Sequence, residues 1–142
     1  MKISLKNSDL APIVNLLNKT TAKGRAARAI SRFHKIMMAK LSQFQEDEID
    51  TFKEHCVLDE NGEVIVSEGG TVTFLDGQTE AGVKAHNELK EEDNVIDLTE
   101  FKPFIEFLMN ALENSESELN INEMDTLDNL LTKLEELRKE DK

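Results

Sequence analysis

Ala26, Ile30, Phe33, Met37, Leu41 and Phe44 recur in steps of three and four, so any fold of this chain must bury one face of a single long helix. The stripe predicts a helix from about Arg25 to about His55, continued less strictly by Ile49 and Phe52. The charge of the chain reverses inside that helix. Met1 to Gln45 carries nine basic residues and one acid, residues 46 to 96 carry fifteen acids and three lysines, and residues 97 to 142 carry thirteen acids and five bases. The three segments therefore hold +8, −12 and −8, within a net charge of −12. A break of this kind marks a boundary between a basic arm and an acidic body when it falls in a linker. Here it falls within a helix, which predicts one dipolar domain over 1–142, basic over 1–45 and acidic over 46–142.

At 142 residues the chain can bury roughly 70% of its unfolded surface without metals or disulfides. Its hydrophobic fraction of 39% fits a folded domain better than a disordered tail. The single cysteine, Cys56, excludes an intramolecular disulfide framework and fits a reducing cytoplasm. No apolar run approaches the roughly 20 residues that span a bilayer. The polar N-terminus, Met1 to Lys6, argues against a signal peptide, so a cytoplasmic protein with no membrane contact is expected.

The remaining elements follow from periodicity and punctuation. Lys2 to Lys6 alternates as a short strand, and Ser8 is the expected cap of a first helix carrying Leu10, Ile13, Val14 and Leu17. Val64-Ile65-Val66 and Thr71-Val72-Thr73-Phe74, with Glu68-Gly69-Gly70 between them, predict a β-hairpin. Thr79 is the expected cap of a third helix, from Glu80 to about Asp93, with Val83 and Leu89 on its apolar side. Val95 to Leu98 reads as another strand, and Thr99 as the cap of a fourth helix bearing Phe101, Phe104, Ile105, Leu108 and Leu112. A fifth helix, roughly Asn122 to Lys139, presents Met124, Leu127, Leu130, Leu131, Leu134 and Leu137. This leucine ladder covers about two heptads, which favours packing within the domain over a coiled-coil seam. The predicted class is α+β, mostly helical: about five helices with a small antiparallel β-hairpin or sheet.

Ser8 to Leu17 aligns without gaps on Thr99 to Leu108, with a hydroxyl, an acid and a proline at matching positions. A duplicated strand–helix–helix unit explains the echo, and so does convergent helix-start chemistry, since acids suit the positive helix N-terminus.

Arg25, Arg28, Arg32 and Lys35 step by three, four and three, so they share a helix face suited to tracking phosphates. The alternative is that they pair with the chain's own acids or stay solvated. Cations near a helix N-terminus and acids near its C-terminus both oppose the macrodipole. A layout that works against local stability points to a contact, and antiparallel pairing of two such helices in a homodimer would complement the charges. Residues 46 to 142 carry −20, which repels nucleic acid and suits a partner with a basic groove. Glu46, Asp47, Asp50, Glu54, Glu91, Glu92 and Asp93 are the candidate contact residues of that acidic surface, with ordinary solubility as the alternative role.

Catalytic chemistry finds no constellation. His55-Cys56 has no second cysteine and no His-x-x-x-His spacing, so no metal is expected, and His34 and His86 stand alone. Asp59, Glu60, Asn61 and Glu63 form a turn rather than a calcium loop, because glycine arrives at the fourth position. There is no nucleophile elbow, phosphate loop or dinucleotide fingerprint, so neither an enzymatic activity nor a cofactor is expected.

The runs Lys2-Ile3-Ser4-Leu5, Leu10-Ala11-Pro12-Ile13-Val14, Lys23-Gly24-Arg25-Ala26-Ala27-Arg28, Glu46-Asp47-Glu48 and Asp59-Glu60-Asn61-Gly62-Glu63 resemble a family of small uncharacterised acidic proteins. That family is encoded by phages and prophages of low-GC Gram-positive bacteria. The resemblance implies a phage context and action in the bacterial host cytoplasm, and it carries no catalytic residues across. Together with the acidic surface it leads to the expectation of a non-enzymatic accessory protein. Such a protein would bind and inhibit a basic, nucleic-acid-handling host protein, in the manner of anti-CRISPR, anti-restriction or DNA-mimicking proteins. The alternatives are a phage structural or assembly helper acting as a homo-oligomer and, more weakly, direct nucleic-acid binding through Arg25 to Lys35.

Overall fold

The computed structural model describes Met1 to Glu140. Its elements are β1 (Lys2–Lys6), α1 (Asn7–Lys19), α2 (Gly24–His55), α3 (Thr79–Lys90), β2 (Asp93–Asp97), a 3-10 turn (Lys102–Phe104), α4 (Ile105–Asn114) and α5 (Ile121–Glu140). The fold is α+β and mostly helical, with five helices and a two-stranded antiparallel sheet, as the sequence predicts. The chain divides into two compact units, one of Met1–Leu41 with Asp93–Lys142 and one of Ser42–Glu92.

In the first unit, β1 pairs with β2 in the register Ile3↔Ile96 and Lys6↔Asp93. The alternation of β1 turns Ile3 and Leu5 into the core and leaves Lys2, Ser4 and Lys6 exposed. Leu10, Ile13, Val14, Leu16 and Leu17 of α1 join Ala29, Phe33, Met37 and Leu41 of α2 among its buried side chains. Ile105, Leu108 and Leu112 of α4 and Leu130, Leu134 and Leu137 of α5 complete the set.

Four helix starts differ from expectation, three of them where a nearby side chain takes a backbone amide. α1 begins at Asn7, not behind a Ser8 cap, because β1 runs directly into it and the Lys6 amide donates to Asp9 Oδ2 at 2.9 Å. α3 begins at Thr79 itself behind Gln78, whose side chain lies 3.1 Å from His55 Nδ1, and it ends at Lys90, leaving Asp93 to β2. Thr99 caps no α-helix: its amide and hydroxyl both donate to Asp97 Oδ1, and a 3-10 turn intervenes before α4. α5 starts one residue early because Asn120 and Glu123 cap each other, Asn120 N–H to Glu123 Oε1 at 3.0 Å and Glu123 N–H to Asn120 Oδ1 at 2.9 Å.

Three residues expected on apolar faces are exposed: Ile49 at 47%, Val83 at 44% and Met124 at 49%. In α2, Ala29 is fully buried where the stripe named Ala26, which is half-buried.

In the second unit the predicted hairpin is reduced to isolated bridges, Leu58↔Val64, Val66↔Val72 and Cys56↔Phe74. Its reversal is the expected one: Ser67 N–H donates to Thr71 O, with Gly70 at φ +80°. Continuous strands fail to form here because Ile65, Val66 and Leu75 remain largely exposed and lack a packing face to align them. Phe44, Cys56 and Leu89 are the buried hydrophobic side chains of this unit, and Gly82 is buried beside the Phe74 ring.

Candidate partner-binding surfaces

The helical spacing places Arg25, Arg28, Arg32 and Lys35 on the solvent side of α2, all four exposed. Among the described residues none of them makes an ion pair. Aromatic rings support two of the four instead. The Arg32 guanidinium sits 4.6 Å from the Phe104 ring centroid, and that of Arg25 sits 5.8 Å from that of Phe107. Such contacts contribute about 0.5–1 kcal/mol at exposed sites and hold the planar cation without consuming its charge. Phe104 is in turn tied to the core through Phe101 at 5.6 Å and Phe33 at 5.8 Å. Arg28, Arg32, Lys35 and Ile36 form one wall of an open groove of about 580 Å³, and Glu100, Phe101 and Phe104 form the other. The aromatic backing was missed at the sequence level, where Phe104 reads as core. It is half-buried, and the i, i+3 spacing of Phe104 and Phe107 was the signal that both rings share a side of that segment.

The acidic set is distributed over several elements. Glu46, Asp50 and Glu54 stand one helical turn apart along α2, about 6 Å of rise per step, and all three are exposed. Among the described residues Glu46 and Asp50 make no ion pair, and Glu54 lies 4.0 Å from His55 Nε2. Asp47 is half-buried and accepts from Gln43 Nε2 at 3.0 Å. Glu91 and Glu92 close the C-terminal end of α3 with their amides on Asn87, Glu88 and Leu89 carbonyls. Asp93 belongs to β2, opposite Lys6.

Two features of the second unit were not anticipated. His86 Nε2 lies 2.8 Å from Glu48 Oε2, and its ring packs on Phe52 at 4.8 Å, so these three residues form one knot between α2 and α3. The signal was the i, i+4 pair Glu48 and Phe52 on a single helix face. Cys56 is buried, and burial pushes its thiol above the ordinary range, away from the thiolate that nucleophilic or metal chemistry requires. Among the described residues no three His, Cys, Asp or Glu side chains gather as a metal site, and no helix is long and apolar enough to cross a membrane.

The fold and its surfaces define a small, mostly helical α+β protein that presents two charged rows of opposite sign. The chain belongs to the family described as "Protein of unknown function (DUF1617)", which it matches over residues 1–141. No curated protein and no solved structure matches it.

Proposed function

We propose that the chain is a non-enzymatic accessory protein of a phage or prophage, acting in the bacterial cytoplasm, that binds and inhibits a basic, nucleic-acid-handling host protein through its acidic surface. The observation that carries this reading is the row Glu46, Asp50 and Glu54. Its carboxylates are exposed at one-turn spacing, and among the described residues no cation lies within ion-pair distance of Glu46 or Asp50. Charges left unpaired along a rigid helix keep their field directed outward and steer a basic groove toward it. The phage setting rests on the sequence resemblance described above. The anti-defence role follows from that setting together with the −20 held by residues 46 to 142.

One observation favours a second reading. The row Arg25, Arg28, Arg32 and Lys35 likewise makes no ion pair among the described residues and suits phosphates, so direct nucleic-acid binding competes with the first proposal.

The test is affinity purification of the tagged protein from phage-infected host cells, with and without nuclease, for the wild type and for Glu46→Lys/Asp50→Lys. The expected result is a stoichiometric nucleic-acid-handling host protein that survives nuclease and is lost with the charge reversal. Recovery of virion proteins alone, or of the bait alone, overturns the proposal. A partner that disappears with nuclease transfers the case to the basic row.

A further inference from the structure

The geometry points to the free edge of β2 as a docking site for an extended segment of a basic partner protein. The segment adds as a third strand, with cations opposite Asp93 and Asp97 and an apolar side chain opposite Val95. The proposal deepens the host-partner reading by naming the form in which the partner is taken, and in its choice of a basic partner it rests on that reading. The edge lies wholly within the unit of Met1–Leu41 with Asp93–Lys142.

The sheet has two strands, so β2 pairs with β1 along one side and keeps the other side free. The register fixes which backbone groups that side presents. Leu98 N–H donates to Met1 O at 2.7 Å, and bonded pairs alternate along an antiparallel ladder. Ile96 with Ile3 and Asn94 with Leu5 are therefore bonded pairs, while Asp97, Val95 and Asp93 turn their backbone amides and carbonyls outward. Among the described residues the N–H and C=O of Val95 find no hydrogen-bond partner, and the residue is 61% exposed. Free edges are ordinarily blunted by lysine, proline or a bulge. The run Asp93-Asn94-Val95-Ile96-Asp97 has neither residue, and its register is unbroken.

The side chains select what can pair there. Asp93, Val95 and Asp97 share the exposed face of β2, and among the described residues neither aspartate makes an ion pair. The hydroxyl and then the amide of Thr99 hold the Asp97 carboxyl below the usual range, which keeps it ionised. Two β2 edges paired antiparallel about Val95 would set Asp93 against Asp97 at both ends, and like charges directly opposite are destabilising. The complementary pattern is displayed by β1, whose Lys2, Ser4 and Lys6 stand opposite Asp97, Val95 and Asp93. A third strand repeats that pattern on the other side of β2, with cations at its two outer alternate positions. The β1 of a second copy carries such cations, but its own outer edge is partly consumed, because the Lys6 amide donates to Asp9 Oδ2 at 2.9 Å. In strand addition of this kind the main-chain bonds supply affinity and the alternate side chains supply specificity.

The probe is an end-capped peptide with lysine, threonine, valine, threonine and lysine in succession. It is titrated into the isotope-labelled full chain while the Val95 amide is followed by NMR. One control peptide carries N-methylvaline at its centre, and another carries glutamate in place of both lysines. The expected result is binding that moves the Val95 N–H resonance downfield and slows its exchange with solvent. Either control should bind roughly tenfold more weakly or worse, since one removes a main-chain bond and the other sets like charges opposite. Val95→Pro removes the outward N–H at an edge position that tolerates proline, and it should lose the peptide to the same degree. The N-methylated peptide asks the same question of the wild-type chain, so the test does not depend on the folding of that variant. A Val95 amide that ignores the lysine peptide overturns the inference. So does an equal response to either control peptide, or a wild-type chain that assembles into open chains through β1 on β2. The titration needs no host partner, so its failure leaves the host capture to decide the earlier reading, and a failed capture leaves the titration to decide this one.

Discussion

Lys19 Nζ lies 2.6 Å from Glu123 Oε2, tying the C-terminal end of α1 to the first turn of α5. Glu123 also accepts the Asn120 amide in the reciprocal cap, so one carboxylate closes a helix start and anchors it to a neighbouring helix. The Asn120 amide, and then Lys19, hold its carboxyl below the usual range. A depressed folded-state pKa means that this stabilisation is complete above the unfolded value, about 4.3 for Glu. It is lost as pH falls through the lower folded value. We expect Asn120→Ala to cost about 0.5–2 kcal/mol in urea unfolding at pH 7, the usual range for a lost N-cap. Glu123→Gln should destabilise at pH 7, and its deficit against the wild type should shrink as both are titrated below pH 4. A deficit independent of pH would show that the charge of Glu123 plays no part.

The long stripe of α2 sorts into residues that bury and residues that do not, and mutation should sort them in the same way. Phe33 is fully buried with its ring 5.8 Å from that of Phe101, whereas Ile49 is 47% exposed on the same helix. Phe33→Ala is expected to cost about 3–5 kcal/mol by removing contacts and leaving a cavity. Ile49→Ala should stay within about 0.5 kcal/mol, as for an ordinary surface change. Thermal and denaturant unfolding of the two variants, side by side, gives the comparison. Equal losses would contradict the burial assigned to either residue.

Helix period and strand alternation are local, and that is why α2, β1 and the leucines of α5 are legible in the sequence. Leu130, Leu134 and Leu137 are buried where a three–four spacing puts them. Pairings between distant segments leave no such trace. Nothing in Ile3 or Ile96 alone announces their register across the sheet. The helix starts failed for a related reason: several residues near each boundary can cap, and the choice depends on what else binds them. Ser8 and Thr99 are good caps by type, yet Asp9 accepts the Lys6 amide and Asp97 accepts both the amide and the hydroxyl of Thr99, and neither residue heads its helix. The candidate rows show the same division. The spacing of Arg25, Arg28, Arg32 and Lys35 gives their common face, while the rings of Phe104 and Phe107 come to it from a segment about 70 residues later. That these arginines make no ion pair among the described residues is likewise a tertiary fact.

Gly82 is a helix-interior glycine that alanine should improve by about 1 kcal/mol on propensity alone. Its surroundings reverse that sign. A Cβ built at Gly82 would lie 2.7 Å from Phe74 Cδ1, closer than packed carbons allow, and a tight 3.0 Å from His55 Cβ. Gly82→Ala is therefore expected to destabilise the unit of Ser42–Glu92 by about 1–3 kcal/mol, the usual range for overpacking. Removing the obstructing ring in Gly82→Ala/Phe74→Ala should reduce that added cost, read as a non-zero coupling in a double-mutant cycle. Strict additivity would show that the two positions do not touch.

Cys56 provides a chemical probe of that same unit. It is buried, and desolvation raises its thiol pKa, so the thiolate that reacts with disulfide reagents is scarce in the folded state. A raised folded-state pKa favours the native state below the unfolded value, and this contribution is lost as pH rises through the folded one. Labelling should accordingly be slow at pH 7 and become fast when the unit opens. Phe44, Cys56 and Leu89 are its buried hydrophobic side chains, far fewer than the Met1–Leu41 and Asp93–Lys142 unit holds. Apolar burial scales with stabilisation at roughly 25 cal/mol per Å², so the smaller core should open first. We expect the opening free energy from Cys56 labelling to be smaller than the global unfolding free energy from urea titration. If the two agree, the units unfold as one cooperative body, and α2 transmits the stability of the larger core through its whole length.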